Sequence, residues 1–386
     1  MINNVYSITK GYGVMEFASE VTAIEENAFL NQDRLLNITI PNSVVNIFSS
    51  AFNGCCNLTN ITIPNSVKSI GKYAFSGCSK LKNIKLPNSV TNIKSGAFEY
   101  CTELTDIDIP NSVKSIESEA FKGCTSLTSI VIPNNVKSIK SNTFEKCKKL
   151  TRITIPNSVT NIESGAFYDC TSLDSIDIPS SITNIGYKAF MGCSKLTSIN
   201  IPNSITNIEY RTFEKCSGLK SIYIPNSVTN IGSRAFGHCT KLTNIVIPDS
   251  IKSIKEETFY DCIALENIKI PNNVTNIEYR AFKNCTKLTN IDIPCNVINI
   301  GGEAFRGCTS LTSITIPSST KSIGSKAFYK CDNLKSIYMK GDVPPTSYND
   351  IVKNYSDIIL YVPTGTLKEY QNTSPWKRFN IQEYDY

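Results

Sequence analysis

The chain has 386 residues, 41% hydrophobic and 19% charged, with a formal net charge of +6. Lysine and arginine are interleaved with Asp and Glu, so no basic stripe of the kind that tracks nucleic acid is formed. Hydrophobic runs stop at about six residues, far below the roughly 20 needed to span a bilayer.

A chain of this length would ordinarily hold more than one domain. Internal repetition replaces that prior, because a stack of repeats has no fixed size limit. The opening segment, Met1 to Lys10, has neither a basic n-region nor an apolar h-region, so no signal peptide is expected there. A protein that stays in the cell and a mature form without its leader both fit.

In chain order, a covering strand is predicted over Val5 to Ile8, before a turn at Gly11-Tyr12-Gly13. A decayed copy of the repeat follows, with Tyr12, Met15, Phe17, Ala18, Val21 and Ile24 at its key positions. From Phe29 the pattern becomes strict. Phe recurs every 23 residues from Phe29 to Phe328, Leu from Leu35 to Leu334, Pro from Pro41 to Pro317 and Cys from Cys55 to Cys331. Four residue types locked to one period define the chain as a stack of like units.

Residues 127 to 147 illustrate one copy. Leu127, Ile130 and Ile132 alternate with Ser129 and Val131, and spacing of two predicts a strand. Pro133 has no N–H for the ladder and ends it. Asn134 and Asn135 supply turn chemistry, and Val136 and Ile139 return to the core through a second short extended segment. Thr143 (Ala in most copies), Phe144 and Cys147 then span about one helical turn, which would place Phe and Cys on one face. A single copy cannot bury these residues, at roughly 1.5–3 kcal/mol for each large apolar side chain. Neighbouring copies must cover them.

The period ends after Ile337. Lys340 to Pro345 reads as a break, Ile358 to Val362 as a strand and Thr366 to Gln371 as a short helix. Trp376, the only tryptophan, is expected to close the end of the stack rather than to stack on a ligand.

Little in the sequence speaks of chemistry. Thirteen of the fifteen cysteines obey the period, and such a ladder reads as buried packing, since a free Cys behaves as a small hydrophobe. Zinc needs ligands converging on a point, whereas a ladder spreads them along a line. Cys56 and Cys295 fall off the period and are the expected accessible thiols. His238 is the sole histidine, so neither a Ser-His-Asp triad nor a multi-His metal site can be assembled. No Gly-rich phosphate loop or dinucleotide fingerprint is present. No catalytic, metal or cofactor site is expected.

The repeat, read as Cys124-Thr-Ser-Leu127-Thr-Ser-Ile130-Val-Ile132-Pro133 and again as Cys239-Thr-Lys-Leu242-Thr-Asn-Ile245-Val-Ile247-Pro248, resembles the BspA-like, treponemal type of leucine-rich repeat. The resemblance spans about residues 12 to 340, and the tail is similar to the closing segment of those proteins in Tyr361 to Thr366 and Pro375 to Phe379. It implies a repeat solenoid, mainly β with short helical turns, forming a right-handed superhelix of about fourteen 23-residue coils. The expected bounds are an N-terminal cap and partial repeat over 1–18, the solenoid over 19–340 and a C-terminal cap over 341–386.

Between the two Ile residues of each strand stands one outward residue. This column runs Thr39, Thr62, Lys85, Asp108, Val131, Thr154, Asp177, Asn200, Tyr223, Val246, Lys269, Asp292, Thr315 and Tyr338. It forms a ribbon of small polar groups that reads as a solvated face or as an extended binding surface. The candidate partner-binding residues are Tyr223, Val246, Asn200, Asp177, Lys269 and Tyr338, with Tyr223 and Tyr338 as anchors, or Tyr338 as part of the cap. Two further columns are noted, Lys68, Lys114, Lys137, Lys252 and Lys321, and Tyr187, Tyr210 and Tyr279. The resemblance implies a cell-surface or secreted adhesin for host matrix or cell-surface proteins, or for other microbes, and the residues give no sign of an enzyme. The alternative is an intracellular scaffold or effector that binds one protein through the same ribbon, and the many thiols point that way. The sequence does not set the oligomeric state.

Overall fold

The computed structural model describes residues 20–385 in full, together with the backbone of two strands ahead of them, Val5–Thr9 and Tyr12–Glu16. These two strands pair antiparallel, with Thr9 opposite Tyr12. Tyr12 and Met15 thus belong to an antiparallel strand pair, Phe17 and Ala18 lie outside the described residues, and Ile24 pairs with Ile47 as the first strand of the stack. The chain divides into two compact units, Met1–Ser158 and Val159–Tyr386. Each is a mainly β solenoid of the predicted period. The chain makes about 16 turns of ~23 residues in all, somewhat more than the fourteen marked by phenylalanine.

Within the first unit, Asn37–Thr39 pairs with Asn60–Thr62, Asn83–Lys85 with Asp106–Asp108 and Ser129–Val131 with Arg152–Thr154. All are parallel, and every pair is offset by one period. A second sheet joins two-residue strands from Ala23–Ile24 to Ser115–Ile116. The second unit repeats the scheme, with Ser221–Tyr223, Asn244–Val246 and Asn267–Lys269 in register. Its last strands continue the stack without the Phe and Cys signature. Ser336–Met339 pairs with Ile359–Pro363, which pairs with Asn380–Tyr384. These late turns are one reason the count exceeds the Phe count: a parallel strand can be added by backbone pairing alone.

The interior is a file of aromatic rings in each unit. From Phe29 to Phe144 successive centroids lie 5.1 to 5.7 Å apart with planes within 6° of parallel. From Phe167 to Phe328 the spacing is 5.3 to 5.7 Å. That range suits offset stacking. The flanking Leu, Ile, Val and Ala columns are buried with them.

The segment around each Phe is not the helical turn expected. Among the described residues, helix occurs only at Leu367–Asn372 and, as a 3-10 turn, at Trp376–Arg378. The reason is a pair of left-handed residues in most coils, two before and two after the Phe, such as Arg234 (φ 58°) and His238 (φ 60°) around Phe236. Left-handed residues break a right-handed helix. They set up an alternation instead. Ala235, Gly237 and Cys239 donate to the residue three back in their own coil. Arg234, Phe236 and His238 donate to Glu256, Thr258 and Tyr260 of the next coil. Every second N–H is thereby spent on the neighbour, which satisfies a buried backbone that no sheet reaches.

The cysteine column has a matching role. The thiol of Cys239 donates to the carbonyl of Phe213 at 3.2 Å, and Cys147 donates to Phe121 at 3.1 Å. Serines after the proline do the same elsewhere: Ser227 Oγ donates to the Ile205 carbonyl at 2.7 Å. At the C-terminal end Trp376 is fully buried, and its Nε1 donates to the Pro345 carbonyl at 2.8 Å. The tryptophan is therefore part of the packed interior.

Candidate functional site: an outward strand ribbon and a charged ladder

The pleat turns every second strand residue to solvent. Asn200, Tyr223, Val246 and Lys269 come together as one row. A parallel bridge joins Asn200 to Tyr223, and the sheet register joins Tyr223 to Val246 and Val246 to Lys269. At about 4.8 Å per strand the row is roughly 14 Å long. Tyr223 is 59% exposed and Val246 68%, so two large apolar side chains stand side by side in water. Asp177 is exposed one period before Asn200. Tyr338 is not part of this group. It lies three periods past Lys269, half-buried, with its ring stacked on Tyr361 at 4.7 Å and against Tyr384 at 5.5 Å.

In the first unit the same column holds one comparable residue, Val131, 63% exposed and in register with Thr154. The lysine column is exposed at Lys68, Lys114, Lys252 and Lys321. Tyr187, Tyr210 and Tyr279 are exposed as well. Tyr210 and Tyr279 each carry the guanidinium of the following Arg, 4.8 and 4.5 Å from the ring centre.

Sequence reasoning missed a second feature, on the loops that flank the phenylalanines. Arg234 Nε lies 2.6 Å from Glu257, Glu257 lies 3.4 Å from Arg280 Nη1, and Arg280 Nε lies 3.1 Å from Glu303. Lys283 at 2.8 Å and Arg306 at 3.1 Å close around Glu303. Burial alone would raise the Glu303 carboxyl. Hydrogen bonds and charge from Lys283 and Arg280 overcome it and hold the group at about 2. The signal was present in the sequence: positions two before the Phe alternate Arg234, Glu257, Arg280, Glu303, one sign after the other.

The first unit has an inverse arrangement. Lys122 Nζ sits 3.1 Å from Glu119 and 3.7 Å from both Glu99 and Glu145. Burial pushes the Glu99 carboxyl up, against the pull of Lys122.

His238 faces Asp261 of the next coil, Nδ1 to Oδ2 3.1 Å, and not its neighbour Cys239, whose thiol is engaged with Phe213. Asp261 in turn accepts from Asn284 at 2.8 Å. The periodic thiols are buried, Cys56 is half-buried and Cys295 is exposed. Burial pushes the thiols up, to about 12 at Cys216 and Cys331. Among the described residues no group of three His, Cys, Asp or Glu side chains could hold a metal ion. No described helix is long and apolar enough to cross a membrane.

A family model described as the BspA type leucine-rich repeat region matches residues 4–128, 114–243 and 229–350. The chain belongs to the BspA-type leucine-rich repeat family. A leucine-rich repeat protein from Bacteroides ovatus is similar over 100% of this chain and 99% of its own, at 30% identity and a TM-score of 0.80. A leucine rich cell surface protein from Faecalibacterium prausnitzii covers 88% of this chain and 95% of itself, at 29% identity and a TM-score of 0.56. The pneumococcal vaccine antigen PcpA shares the fold over 100% of this chain and 99% of itself, at 20% identity and a TM-score of 0.60. A comparison with curated proteins gives no match. Solenoids of this leucine-rich repeat kind are typically non-enzymatic scaffolds that bind other proteins.

Proposed function

We propose that this BspA-type solenoid is a non-enzymatic adhesin, displayed at the cell surface or secreted, that grips a host matrix or cell-surface protein through its strand ribbon. The observation that carries this reading is the Tyr223–Val246 pair, large, apolar, adjacent and more than half exposed on a row of otherwise small or charged groups. Exposed aromatic residues on a rigid frame are the usual anchors of a protein interface. Asn200 and Lys269 on either side supply a hydrogen-bonding group and a charge that fix register more than affinity. Display at the surface draws on the Faecalibacterium prausnitzii relative, itself described as a cell surface protein.

An intracellular scaffold would use the same row, and the thiol ladder first favours it. That support weakens once the thiols are seen as buried, hydrogen-bonded and held protonated, because such thiols resist oxidation in either compartment. The test is binding of the full chain to a panel of purified host extracellular-matrix proteins, repeated with Tyr223→Ala and Val246→Ala. Saturable binding that both substitutions weaken at least tenfold supports the reading. Binding that both variants retain unchanged removes the row from it, and a native protein confined to the cytosol removes the adhesin.

A further inference from the structure

The charged ladder and the exposed row belong to the same coils. Tyr223 shares a coil with Arg234, Val246 with Glu257, Lys269 with Arg280 and Asp292 with Glu303. The row points outward from the strands, and the ladder lines the loops beside the phenylalanines. Each rung of the ladder ties one coil to the next, because its partners stand one period apart.

The rungs are not ordinary surface pairs. Glu257 is 4% exposed and Glu303 9%, so both side chains are largely shielded from water. A buried charge is tolerated only while its partners stay within reach. If one coil slips against its neighbour, a carboxylate and one or two guanidinium groups are stranded together. Coils in a linear array are held by nearest-neighbour terms alone, so a rung acts on its own interface and hardly on distant ones.

We propose that the ladder Arg234–Glu257–Arg280–Glu303, closed by Lys283 and Arg306, is an electrostatic clasp that holds these coils in register and so keeps the Tyr223–Lys269 part of the row pre-organised for a partner. The consequence for binding rests on the reading of that row given above. The clasp itself does not. A rigid row loses less conformational freedom on binding than a loose one, so the clasp would tune affinity from the far side of the coil without touching the partner.

The groups facing each carboxylate define when it opens. Glu257 meets Arg234 and Arg280, while Glu303 meets Arg280, Lys283, Arg306 and, at 3.5 Å, the Tyr279 hydroxyl. Guanidinium groups stay charged at every relevant pH. Glu303, held at about 2 by Lys283 and Arg280, stays ionised through the mildly acid range, so its end of the clasp stays shut, and concentrated salt weakens the rungs only where they reach solvent.

The test is hydrogen exchange on the full chain without any partner, comparing wild type, Glu257→Gln, Glu303→Gln and the double variant. Exchange in Asn244–Val246 and Asn267–Lys269 should rise about tenfold or more in the double variant, with Asn380–Tyr384 unchanged. Should the double variant fail to fold, Arg306→Gln removes one of the cations around Glu303 and should give a smaller rise in Asn267–Lys269, beside the Glu303 rung. Wild-type rates in those strands, or uniform loosening of residues 159–386, would overturn the clasp. Because no partner is present, a row that binds nothing leaves this result standing. Binding lost in Tyr223→Ala together with unchanged exchange in the double variant would sink the clasp and spare the row.

Discussion

Residues 1–158 and residues 159–386 share one kind of interior and differ in the charge beside it. In the first, a single Lys122 is ringed by Glu99, Glu119 and Glu145. In the second, a single Glu303 is ringed by Arg280, Lys283 and Arg306. One site has surplus carboxylates and the other surplus cations. A carboxylate can shed its charge by taking up a proton, whereas a guanidinium cannot. The charge beside the phenylalanines is thus dominated by carboxylates in one unit and by cations in the other.

The largest effect should be the one that does not distinguish the units. Phe98→Ala and Phe190→Ala remove rings from the same kind of stack, and each should cost about 3–5 kcal/mol. Local hydrogen exchange around the altered coil would report it, and a loss felt equally at remote coils would contradict a linear array.

The ionic centres should separate the units. Glu303→Gln leaves three cations facing a neutral group and should cost about 2–3 kcal/mol in denaturant unfolding. Lys122→Met should cost less, about 1–2 kcal/mol, because the carboxylates it leaves behind can protonate.

The pH signs are opposite. Glu303 is depressed in the fold, so its stabilisation is complete above the ordinary carboxylate range of about 4.3 and is lost as pH falls toward about 2. Glu99 is raised in the fold, so its ionised form is a penalty at neutral pH that acidification relieves. Exchange rates corrected for intrinsic pH dependence should thus fall near Phe98 and Phe121 as the pH is lowered from neutral. Around Phe282 and Phe305 they should stay constant until below pH 4. Parallel responses in the two regions would erase the contrast.

Thiol chemistry should again treat the units alike. Only Cys295 and, more slowly, Cys56 should react with a disulfide reagent in the native protein, since the thirteen periodic thiols are buried. The smallest stability effect belongs to the row. Tyr223→Ala, at an exposed position, should change unfolding by no more than about 0.5 kcal/mol, so a binding defect in that variant could not be blamed on the fold.

The parts of this molecule that could be read from its sequence are those fixed by burial. Phe, Leu, Ile, Pro and Cys recur because each fills one slot of a shared interior, and the structure puts them there. The loop around each Phe could not be read, because its conformation is held by backbone bonds to the next coil. Arg234, His238 and Tyr73 occupy left-handed positions that glycine would have announced. The ribbon row was visible, since alternation along a strand assigns one residue in two to solvent. Tyr338 stands apart from that row because its ring finds Tyr361 and Tyr384, which lie beyond the period and carry no repeat signature.

The alternating hydrogen bonds around each phenylalanine give the stack a direction. The N–H groups of residues such as Phe236 reach forward to the following coil, and the thiols reach back to the preceding one. A coil with nothing after it would strand donors in an apolar setting. Phe328 escapes this by donating to Ile351, in a segment that does not repeat. The segment that holds Ile351 is thus a specialised acceptor. A gene encoding such a protein could lengthen or shorten its product by copying or deleting whole coils in the middle, while the last one must stay where it is.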